Sequence, residues 1–346
     1  MGVRVAVIPD PVKYARNLYL HFLYSGIDAN ITGPSSVLSP NKPHILHVHF
    51  PDHVLSVPIS ARMVGRAATL FAILALARLR RIRVVWTVHN IQSHHAQPTR
   101  LNDFFYRSFS SFADGLIFHS NAMRLECLHC YPWLSNRISA VVRHPIYPMF
   151  ALSPDEKSPI QRLGIKDTEF LVCIVGFIRG NKNLIRVVRD FVHLKSNWTL
   201  VIAGEVLDFS VDAAINEITA GRKNIHYLPG FLSEGGFDAI IMASDVVAIP
   251  YGALHTSGVA VRTLSRRRKV LCLSSPEMHE IKLTVPSMVR IVDSIGLFWS
   301  ALPESREAAW DGSERVGLPE EFSPPRCQDK LARFYRSLVL RDRMIR

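Results

Sequence analysis

Short runs of apolar, mostly β-branched residues alternate along the chain with stretches of helical periodicity. In the first half these runs predict strands at residues 3–8, 45–49, 84–88, 115–119 and 138–142. In the second half they predict strands at residues 170–175, 199–203, 225–228, 246–249, 270–273 and 289–292. Strands that alternate with helices are typical of parallel sheets. The sequence therefore predicts an α/β protein with two doubly wound, Rossmann-like domains.

The alternation is interrupted once, in a proline-rich stretch between residues 143 and 160. We place a domain boundary there, which gives a first domain of residues 1–150 and a second of residues 151–328. Residues 329–346 are predicted to form a C-terminal helix, with a return to the first domain as one option. Ligands of such sheets bind beyond the carboxyl ends of the strands, so we expect the two domains to face each other across a cleft.

Two turns of the second domain contain residues that suit a bound diphosphate. One predicted strand runs into the segment GFIRGNKNL, which places Arg179 and Lys182 where a helix begins. Another runs into PYGALHTSG, where Thr256, Ser257 and Gly258 stand at a second helix start. Free backbone N–H groups at a helix start bind anions, and a glycine lets a phosphate approach the backbone. The alternative is that Arg179 and Lys182 are solvated loop residues.

The composition favours a globular protein, because 48% of the 346 residues are hydrophobic. The net charge of +12 is unevenly distributed: residues 1–150 contain 15 Lys and Arg against 6 Asp and Glu. That balance of +9 attracts anionic partners, such as lipid head groups, phosphorylated acceptors or nucleic acid. No nucleic-acid-binding motif with interleaved aromatic residues is present in the sequence, so nucleic acid is the less favoured partner.

The segment 62–83 has two interpretations. Its apolar stretch is followed by Arg78, Arg80, Arg81 and Arg83, and it is too short and too interrupted to span a membrane. It can be a structural helix packed on the sheet. Alternatively it lies on an anionic membrane surface, with its arginines on lipid head groups and its apolar face turned inward.

The sequence offers little support for a metal site or for disulfides. Closely spaced histidines at positions 44, 47, 49 and 53 belong to no HExxH motif, and no DxD triplet occurs. We therefore expect no metal and no cofactor beyond a co-substrate. Cys127 and Cys130 form a single CxxC among five cysteines, which favours a reducing compartment. With no signal-peptide pattern at the start, the predicted location is cytoplasmic.

Five short segments occur in order over about 240 residues: NLYL (17–20), ILHVHFPDHVL (45–55), TVHN (87–90), GFIRGNKN (176–183) and IPYGALHTSG (249–258). Together they resemble the GT-B glycosyltransferases, and specifically the bacterial exopolysaccharide β-mannosyltransferases of the xanthan type. The resemblance implies a GDP-mannose donor, a polyprenyl-diphosphate-linked oligosaccharide acceptor and a peripheral location on the inner face of the cell membrane.

The resemblance also implies roles for individual residues. Arg179 and Lys182 would stabilise the departing diphosphate, and Ser257 and Gly258 would bind it. The implied donor-binding set is Arg179, Lys182, Tyr251, Thr256, Ser257 and Gly258, and the implied acceptor-side residues are Asn17, Tyr19 and Asn90.

The chain departs from related retaining transferases, which have two glutamates across the helix after the second turn. Arg262 occupies the place of the second glutamate. This counts against a retaining enzyme of that type and leaves recognition of the ribose unassigned. The basic run 266–269 is expected to be a solvated helix end.

An inverting transfer needs a base within hydrogen-bond reach of the acceptor hydroxyl. Asp10, Asp52, His89 and His119 each follow the end of a predicted strand. Asp52 is the first choice, because the resembling family has an acidic residue after this strand, and His89 is the second. The alternative for Asp52 is a helix-cap or loop role.

Two other functions stay open at this point. The first keeps the fold and changes the donor, for example to UDP-glucose. The second is a non-catalytic, basic protein that binds nucleic acid or a membrane.

Overall fold

The computed structural model describes residues 2–14, 17–56, 60–91, 99–156, 158–165, 170–194, 198–251, 257–302 and 316–344. Contacts divide the chain into two compact units. Unit 1 comprises Met1–Ile146 together with Glu320–Arg346, and unit 2 comprises Tyr147–Pro319. The division after Ile146 lies inside the proline-rich stretch.

Unit 1 is built on a sheet of six parallel strands. Its elements in chain order are β1 (Arg4–Ile8), α1 (Leu18–Tyr24), β2 (Asn30–Thr32), β3 (Ile45–Val48), α2 (Ala61–Leu79), β4 (Arg83–Thr87), α3 (Thr99–Ser110), β5 (Gly115–Phe118), α4 (Asn121–Cys130) and β6 (Ile138–Val141). The strand order is β2-β1-β3-β4-β5-β6, so the direction of winding reverses between β1 and β3. Such a reversal opens a crevice at the carboxyl ends of the two strands.

Unit 2 is built on a second sheet of six parallel strands. Its elements are α5 (Pro159–Arg162), β7 (Phe170–Val175), α6 (Leu184–Val192), β8 (Trp198–Gly204), α7 (Phe209–Thr219), β9 (Ile225–Pro229), α8 (Glu234–Ala243), β10 (Val246–Ile249), α9 (Gly258–Ser265), β11 (Lys269–Leu273), α10 (Pro276–Thr284) and β12 (Val289–Val292). The strand order is β12-β11-β10-β7-β8-β9, and the reversal lies between β7 and β10.

The last helix, α11 (Pro324–Met344), belongs to unit 1 and packs on α1. Leu331 and Tyr335 on this helix are fully buried. The Gln328 side chain donates a hydrogen bond to the carbonyl of Phe22 at 2.8 Å. The C-terminal segment is therefore part of the core of unit 1 rather than an appendage.

One side of helix α2 packs into the core of unit 1. Met63, Leu70, Leu74 and Ala77 are buried in the core of unit 1, which confirms the first interpretation of this segment for that face. Among the described helices, none combines the length and the apolar character that a membrane crossing requires.

The predicted α/β class with two doubly wound, Rossmann-like sheets is confirmed. The predicted strands are all present, and the structure adds β2, which has three residues and pairs with β1 at the sheet edge. The arrangement of the two domains about a cleft stays a prediction.

Candidate functional site

The turn after β7 places two cations beside a glycine in unit 2. Gly176 has a φ of +111°, which favours glycine, and any side chain there would lie 3.6 Å from the Lys182 amine. Lys182 is buried, with 6% of its surface exposed. Within the described part of the chain, neither Arg179 nor Lys182 has an ion pair, and the Arg179 Nε is buried without a hydrogen-bond partner. Buried cations without a carboxylate partner are costly unless they serve an anion.

The turn after β10 meets this first turn. The Lys182 amine lies 4.7 Å from the centre of the Tyr251 ring. Asn183 donates a side-chain hydrogen bond to the carbonyl of Pro250 at 2.9 Å. Adjacent strands β7 and β10 thus bring their two turns together at the point where the strand order reverses, which is where doubly wound sheets bind ligands.

Helix α9 begins at this junction. The Ser257 side chain accepts a hydrogen bond from the Ala260 N–H at 3.1 Å and caps the helix, and Gly258 is the first helical residue. The remaining N–H groups of the first turn carry partial positive charge. The structure thus brings together five of the six predicted donor-binding residues, whereas Thr256 lies outside the described residues.

Burial shifts the acid–base behaviour of this site. Burial, followed by the charge of Arg179, lowers the pKa of Lys182 to about 7. Burial also raises the pKa of Tyr251 to about 12, so its hydroxyl stays protonated. An anion bound here would meet a lysine whose charge it can stabilise.

Arg262 and Arg266 turn away from this junction toward α8. The Arg262 guanidinium donates to Asp238 at 2.7 Å and to Glu234 at 2.5 Å. Arg266 is buried and donates to the second Asp238 oxygen at 2.8 Å and to the carbonyls of Tyr147 and Pro148. The expectation of a solvated helix end is therefore wrong for Arg266, because a buried carboxylate 28 positions away pairs with it.

In unit 1, Asp52 lies directly after β3, in a short 3₁₀ turn at the carboxyl edge of the sheet. It is buried, and Asn90 donates a hydrogen bond to one of its oxygens at 3.3 Å. Asn17 caps α1 by accepting from the Leu20 N–H at 3.2 Å. The buried Tyr19 ring lies 4.9 Å from the His89 ring, measured between ring centres. The structure thus brings Asp52 and Asn90 into contact, and Tyr19 against His89.

A buried network of histidines and tyrosines at this edge is not evident from the sequence. Its hydrogen bonds run from Thr87 to His47 (2.7 Å), from His47 to Tyr24 (2.8 Å), from Tyr24 to His49 (2.7 Å) and from His49 to His89 (3.2 Å). Tyr335 of α11 joins it at His47. The alternation of His47 and His49 was visible in the sequence, but the two tyrosines come from helices far apart along the chain.

Two further histidines, His119 and His144, extend the cluster around Tyr19. The Nδ1 of His119 faces the carbonyl of Val142 at 2.8 Å, which can only accept. In the neutral ring Nδ1 is therefore the donor, and the buried Nε2 is an acceptor without a partner among the described residues.

All five rings of this cluster are held neutral. Burial lowers the pKa of His47 to about 3, of His119 to about 4 and of His144 to about 3. Burial and the neighbouring rings hold the pKa of His49 and His89 well below the usual value. Within the described residues, no group of His, Cys, Asp or Glu side chains is arranged to hold a metal ion.

No protein family matches the sequence, and no curated protein matches it either. Solved structures match in fold. The structural alignment with HepE from Anabaena, determined with UDP, covers 100% of this chain and 99% of the HepE chain, at 13% identity and a TM-score of 0.56. Sucrose-phosphate synthase from Thermosynechococcus elongatus covers 88% of this chain and 73% of its own, at 11% identity and a TM-score of 0.56. A Listeria monocytogenes protein assigned as a UDP-N-acetylglucosamine 2-epimerase covers 96% and 95%, at 12% identity and a TM-score of 0.54.

These similarities show a shared two-domain architecture, the GT-B fold, which confirms the predicted fold class. At such low identity they show the fold alone. Because the fold is shared by a synthase and by a protein assigned as an epimerase, the reaction must be argued from the site.

Proposed function

We propose that this protein is a glycosyltransferase that moves a sugar from a nucleotide-sugar donor to an acceptor hydroxyl. The observation that supports this most strongly is the buried Lys182, which lies with Arg179 where two turns and the start of α9 converge. Two cations and a helix N-terminus suit a diphosphate better than any neutral ligand.

The chemistry follows from where charge develops. As the bond between the sugar and the diphosphate breaks, negative charge accumulates on the leaving diphosphate. Arg179, Lys182, the Ser257 hydroxyl and the N–H groups at the start of α9 are held in place before the reaction, so they stabilise the transition state without reorganising. This proposed mechanism uses no metal ion and no cofactor other than the nucleotide-sugar itself.

We assign the proton-accepting role to Asp52 in unit 1. Its carboxylate is buried and held by Asn90, which leaves its other oxygen for an acceptor hydroxyl. His89 is the second candidate, because it lies just after β4 at the same edge and its Nε2 is placed by His49 at 3.2 Å; burial holds its pKa well below the usual value, which makes it the weaker base. In an inverting reaction the base removes the hydroxyl proton as the oxygen attacks the sugar carbon.

The finer proposal follows the resemblance of the five sequence segments. It names GDP-mannose as the donor and a polyprenyl-diphosphate-linked oligosaccharide as the acceptor, in exopolysaccharide synthesis. A UDP-sugar is the alternative donor, and the HepE structure with UDP is the observation that favours it.

We further propose that the reaction takes place on the inner face of the cell membrane, with the outer side of α2 on anionic lipid. Val64 and Leu79 of this helix are 59% and 81% exposed, and Arg62, Arg66 and Arg81 are exposed as well. Of the four arginines that the sequence placed on lipid head groups (Arg78, Arg80, Arg81 and Arg83), three have partners within the protein, so fewer of them are available to bind lipid. Arg78 and Arg83 share Asp114, and Arg80 donates to the carbonyls of Val37 and Ser39.

A transfer assay tests the main proposal. The purified protein is incubated with GDP-mannose or UDP-glucose and a lipid extract that contains polyprenyl-linked acceptors, and release of the nucleoside diphosphate is measured. We expect release that depends on the acceptor, and a loss of about 10²-fold or more in Arg179→Ala and Lys182→Ala. If the protein isomerises the sugar in the absence of an acceptor, the proposed transferase activity is wrong and the protein is an epimerase. Binding of oligonucleotides without any reaction would support the non-catalytic alternative.

A further inference from the structure

The hydrogen-bond network at the carboxyl edge of unit 1 passes through three neutral histidine rings, those of His47, His49 and His89. A neutral ring has one nitrogen that donates a hydrogen and one that accepts, so the state of one ring fixes the state of the next. His47 and His49 use both of their nitrogens within the network, whereas His89 enters it through Nε2. The network therefore decides whether Nδ1 of His89 is a donor or an acceptor.

His47 meets two hydroxyl groups at one nitrogen. Its Nδ1 lies 2.5 Å from the Tyr335 hydroxyl and 2.8 Å from the Tyr24 hydroxyl, and the two hydroxyl oxygens are 3.3 Å apart. The single lone pair of an unprotonated Nδ1 accepts well from only one hydroxyl, whereas an N–H is readily shared between two oxygens. Nδ1 of His47 therefore carries the hydrogen, and Nε2 accepts from the Thr87 hydroxyl at 2.7 Å.

The hydrogen of the Tyr24 hydroxyl then goes to His49. Because Nδ1 of His47 is already a donor, the near acceptor is Nε2 of His49 at 2.7 Å. If this nitrogen donated instead, the hydroxyls of Tyr24 and Tyr335 would have only each other as acceptors, and one of their two hydrogens would be left over. Both tyrosines are buried, and a buried donor without an acceptor is destabilising. Nε2 of His49 is therefore the acceptor.

His49 passes this restriction on to His89. Since Nε2 of His49 accepts, its Nδ1 is the donor and donates to Nε2 of His89 at 3.2 Å. The one hydrogen of the neutral His89 ring is then on Nδ1. Within the hydrogen bonds of the network, this is the arrangement that gives every short contact a hydrogen and every hydrogen an acceptor.

We infer that Tyr24 and Tyr335 are positioning residues that hold His89 with its hydrogen on Nδ1, which makes His89 a hydrogen-bond donor and not the proton acceptor. In this form Nε2 receives the hydrogen of His49 and Nδ1 carries its own, so neither nitrogen takes up a proton. Asp52, after β3, then removes the proton of the acceptor hydroxyl, and His89, after the neighbouring β4, donates to an oxygen of the bound acceptor. The position of the hydrogens follows from the network alone, whereas the role of His89 in the transfer rests on the proposed function.

NMR of the full chain with ¹⁵N-labelled histidine tests the position of the hydrogens. Protonated and unprotonated ring nitrogens differ widely in ¹⁵N shift, and the His89 signals are identified by their loss in His89→Asn. At pH 7.5 we expect wild-type His89 to show a protonated Nδ1 and an unprotonated Nε2. Tyr24→Phe and Tyr335→Phe each remove one of the two hydroxyls, and in both His89 should become a mixture of the two forms. The matched control is Tyr106→Phe, which removes a buried hydroxyl of unit 1 outside the network and should keep the wild-type form.

Two variants of His89 test its role in the transfer assay. His89→Asn keeps a side-chain N–H near the position of Nδ1–H but has no basic nitrogen, so it should retain turnover to within about tenfold, whereas loss of a base costs about 10²- to 10⁴-fold. His89→Ala has no donor and should lose about 10²-fold. Equal losses in the two variants, or wild-type turnover in His89→Ala, would overturn the role of His89 as a donor in the reaction.

The two measurements fail separately. A protonated Nε2 in wild-type His89, or an unchanged form in both Tyr24→Phe and Tyr335→Phe, would overturn this inference and leave the proposed function standing. If the wild-type protein transfers no sugar while His89 carries its hydrogen on Nδ1, the proposed function is wrong and the assignment of the hydrogens in the network is correct.

Discussion

At the residue scale, the proposed donor site depends on one lysine that burial makes easy to deprotonate. Burial, reinforced by Arg179, lowers the pKa of Lys182 to about 7. The free protein therefore holds a mixture of ammonium and amine at neutral pH. A bound diphosphate favours the ammonium form, which couples nucleotide binding to proton uptake.

This coupling predicts the pH dependence of binding. Above pH 7 the amine must gain a proton when the diphosphate binds, so affinity should fall by up to about tenfold per pH unit. Below pH 7 the lysine is already charged, and this group should no longer change the affinity. Calorimetry with GDP at pH 6.5, 7.5 and 8.5 measures the slope. Lys182→Arg, which stays charged, should bind with a flat profile, and an equally flat wild-type profile would contradict the account.

A second prediction concerns Asp52. Asp52→Asn keeps the shape of the buried side chain and its contact with Asn90 but removes the proton acceptor. Turnover should fall by about 10²- to 10⁴-fold, while the dissociation constant of the donor nucleotide is unchanged because the donor residues lie in unit 2. Turnover and binding are measured on the same preparation. If turnover is retained in Asp52→Asn and lost in His89→Gln, the base is His89.

Residues whose position follows from the local order of strand and helix could be predicted from the sequence. Residues whose role depends on a partner far along the chain could not. Arg179, Lys182 and Ser257 follow strand ends, and a strand followed by a helix fixes where such residues lie. Arg266 looked solvated because Asp238, which neutralises it, is 28 positions away. Tyr24 and Tyr335 show no pattern at all, since only the packing of α11 on α1 brings them to His47.

At the element scale, α2 and α9 end in the same motif, and in both an arginine occupies the strained, left-handed position. The N–H of Ile82 donates to Ala77, and the N–H of Arg268 donates to Thr263, which defines a Schellman motif at each end. The residues at the left-handed position are Arg81 and Arg267, with φ values of +55° and +54°. Glycine is favoured there, because a side chain in this conformation costs about 1 kcal/mol or more.

Arg267→Gly should therefore stabilise unit 2. We expect a gain of about 0.5–1 kcal/mol in the free energy of unfolding, after allowance for the greater freedom of glycine in the unfolded chain. Urea denaturation measures it. The matched control is Arg189→Gly, an exposed arginine inside α6, which should lose about 1 kcal/mol because the helix interior disfavours glycine. A loss of stability in Arg267→Gly would show that its side chain does more than occupy the turn.

The outer side of α2 gives a prediction about the membrane. Replacing Arg62, Arg66 and Arg81 by Glu should abolish flotation of the protein with vesicles that contain anionic lipid, since each basic residue near such a surface contributes about 1 kcal/mol. The control is a change of three exposed arginines elsewhere, Arg124, Arg222 and Arg333, to Glu. If both variants lose flotation equally, membrane binding depends on net charge alone. If the α2 variant still floats with the vesicles, α2 is not the membrane contact.

At the scale of the whole molecule, the neutral histidines make unit 1 sensitive to acid. The unfolded chain binds protons at these histidines as the pH falls through about 6.5, whereas the folded unit does not until pH 3–4 for His47, His119 and His144. Stability is therefore greatest above pH 6.5 and falls as the pH decreases. Each histidine contributes about 1.4 kcal/mol per pH unit, so three remove about 4 kcal/mol per unit from a total of about 5–15.

We therefore expect unit 1 to unfold between about pH 5 and 6, and unit 2, which lacks this cluster, to follow at lower pH. Limited proteolysis with an acid-active protease, with cleavage sites mapped by mass spectrometry, distinguishes the two units. The quantitative check is the slope of unfolding free energy against pH, which should decrease by about 1.4 kcal/mol per unit in His119→Gln. Simultaneous cleavage of both units, or an unchanged slope, would contradict this explanation.

The fold itself was predictable because the strands of both sheets are short apolar runs that alternate with helices along the sequence. Strand β2 was not, since its three residues are partly exposed and only its pairing with β1 defines it. Burial of whole strands such as β7 and β8 leaves a clear apolar run, whereas β2 is short and has no buried residue.

The return of α11 to unit 1 has a consequence for biosynthesis. A ribosome delivers residues 1–146 before unit 2, yet the tyrosine that closes the network at His47 is residue 335 and is made after unit 2. Unit 2 is complete when it leaves the exit tunnel and is free to fold at once, while the earlier part of the chain must wait until α11 has been made. Nascent chains stalled before α11 should accordingly display chaperone-binding surface on the N-terminal half alone.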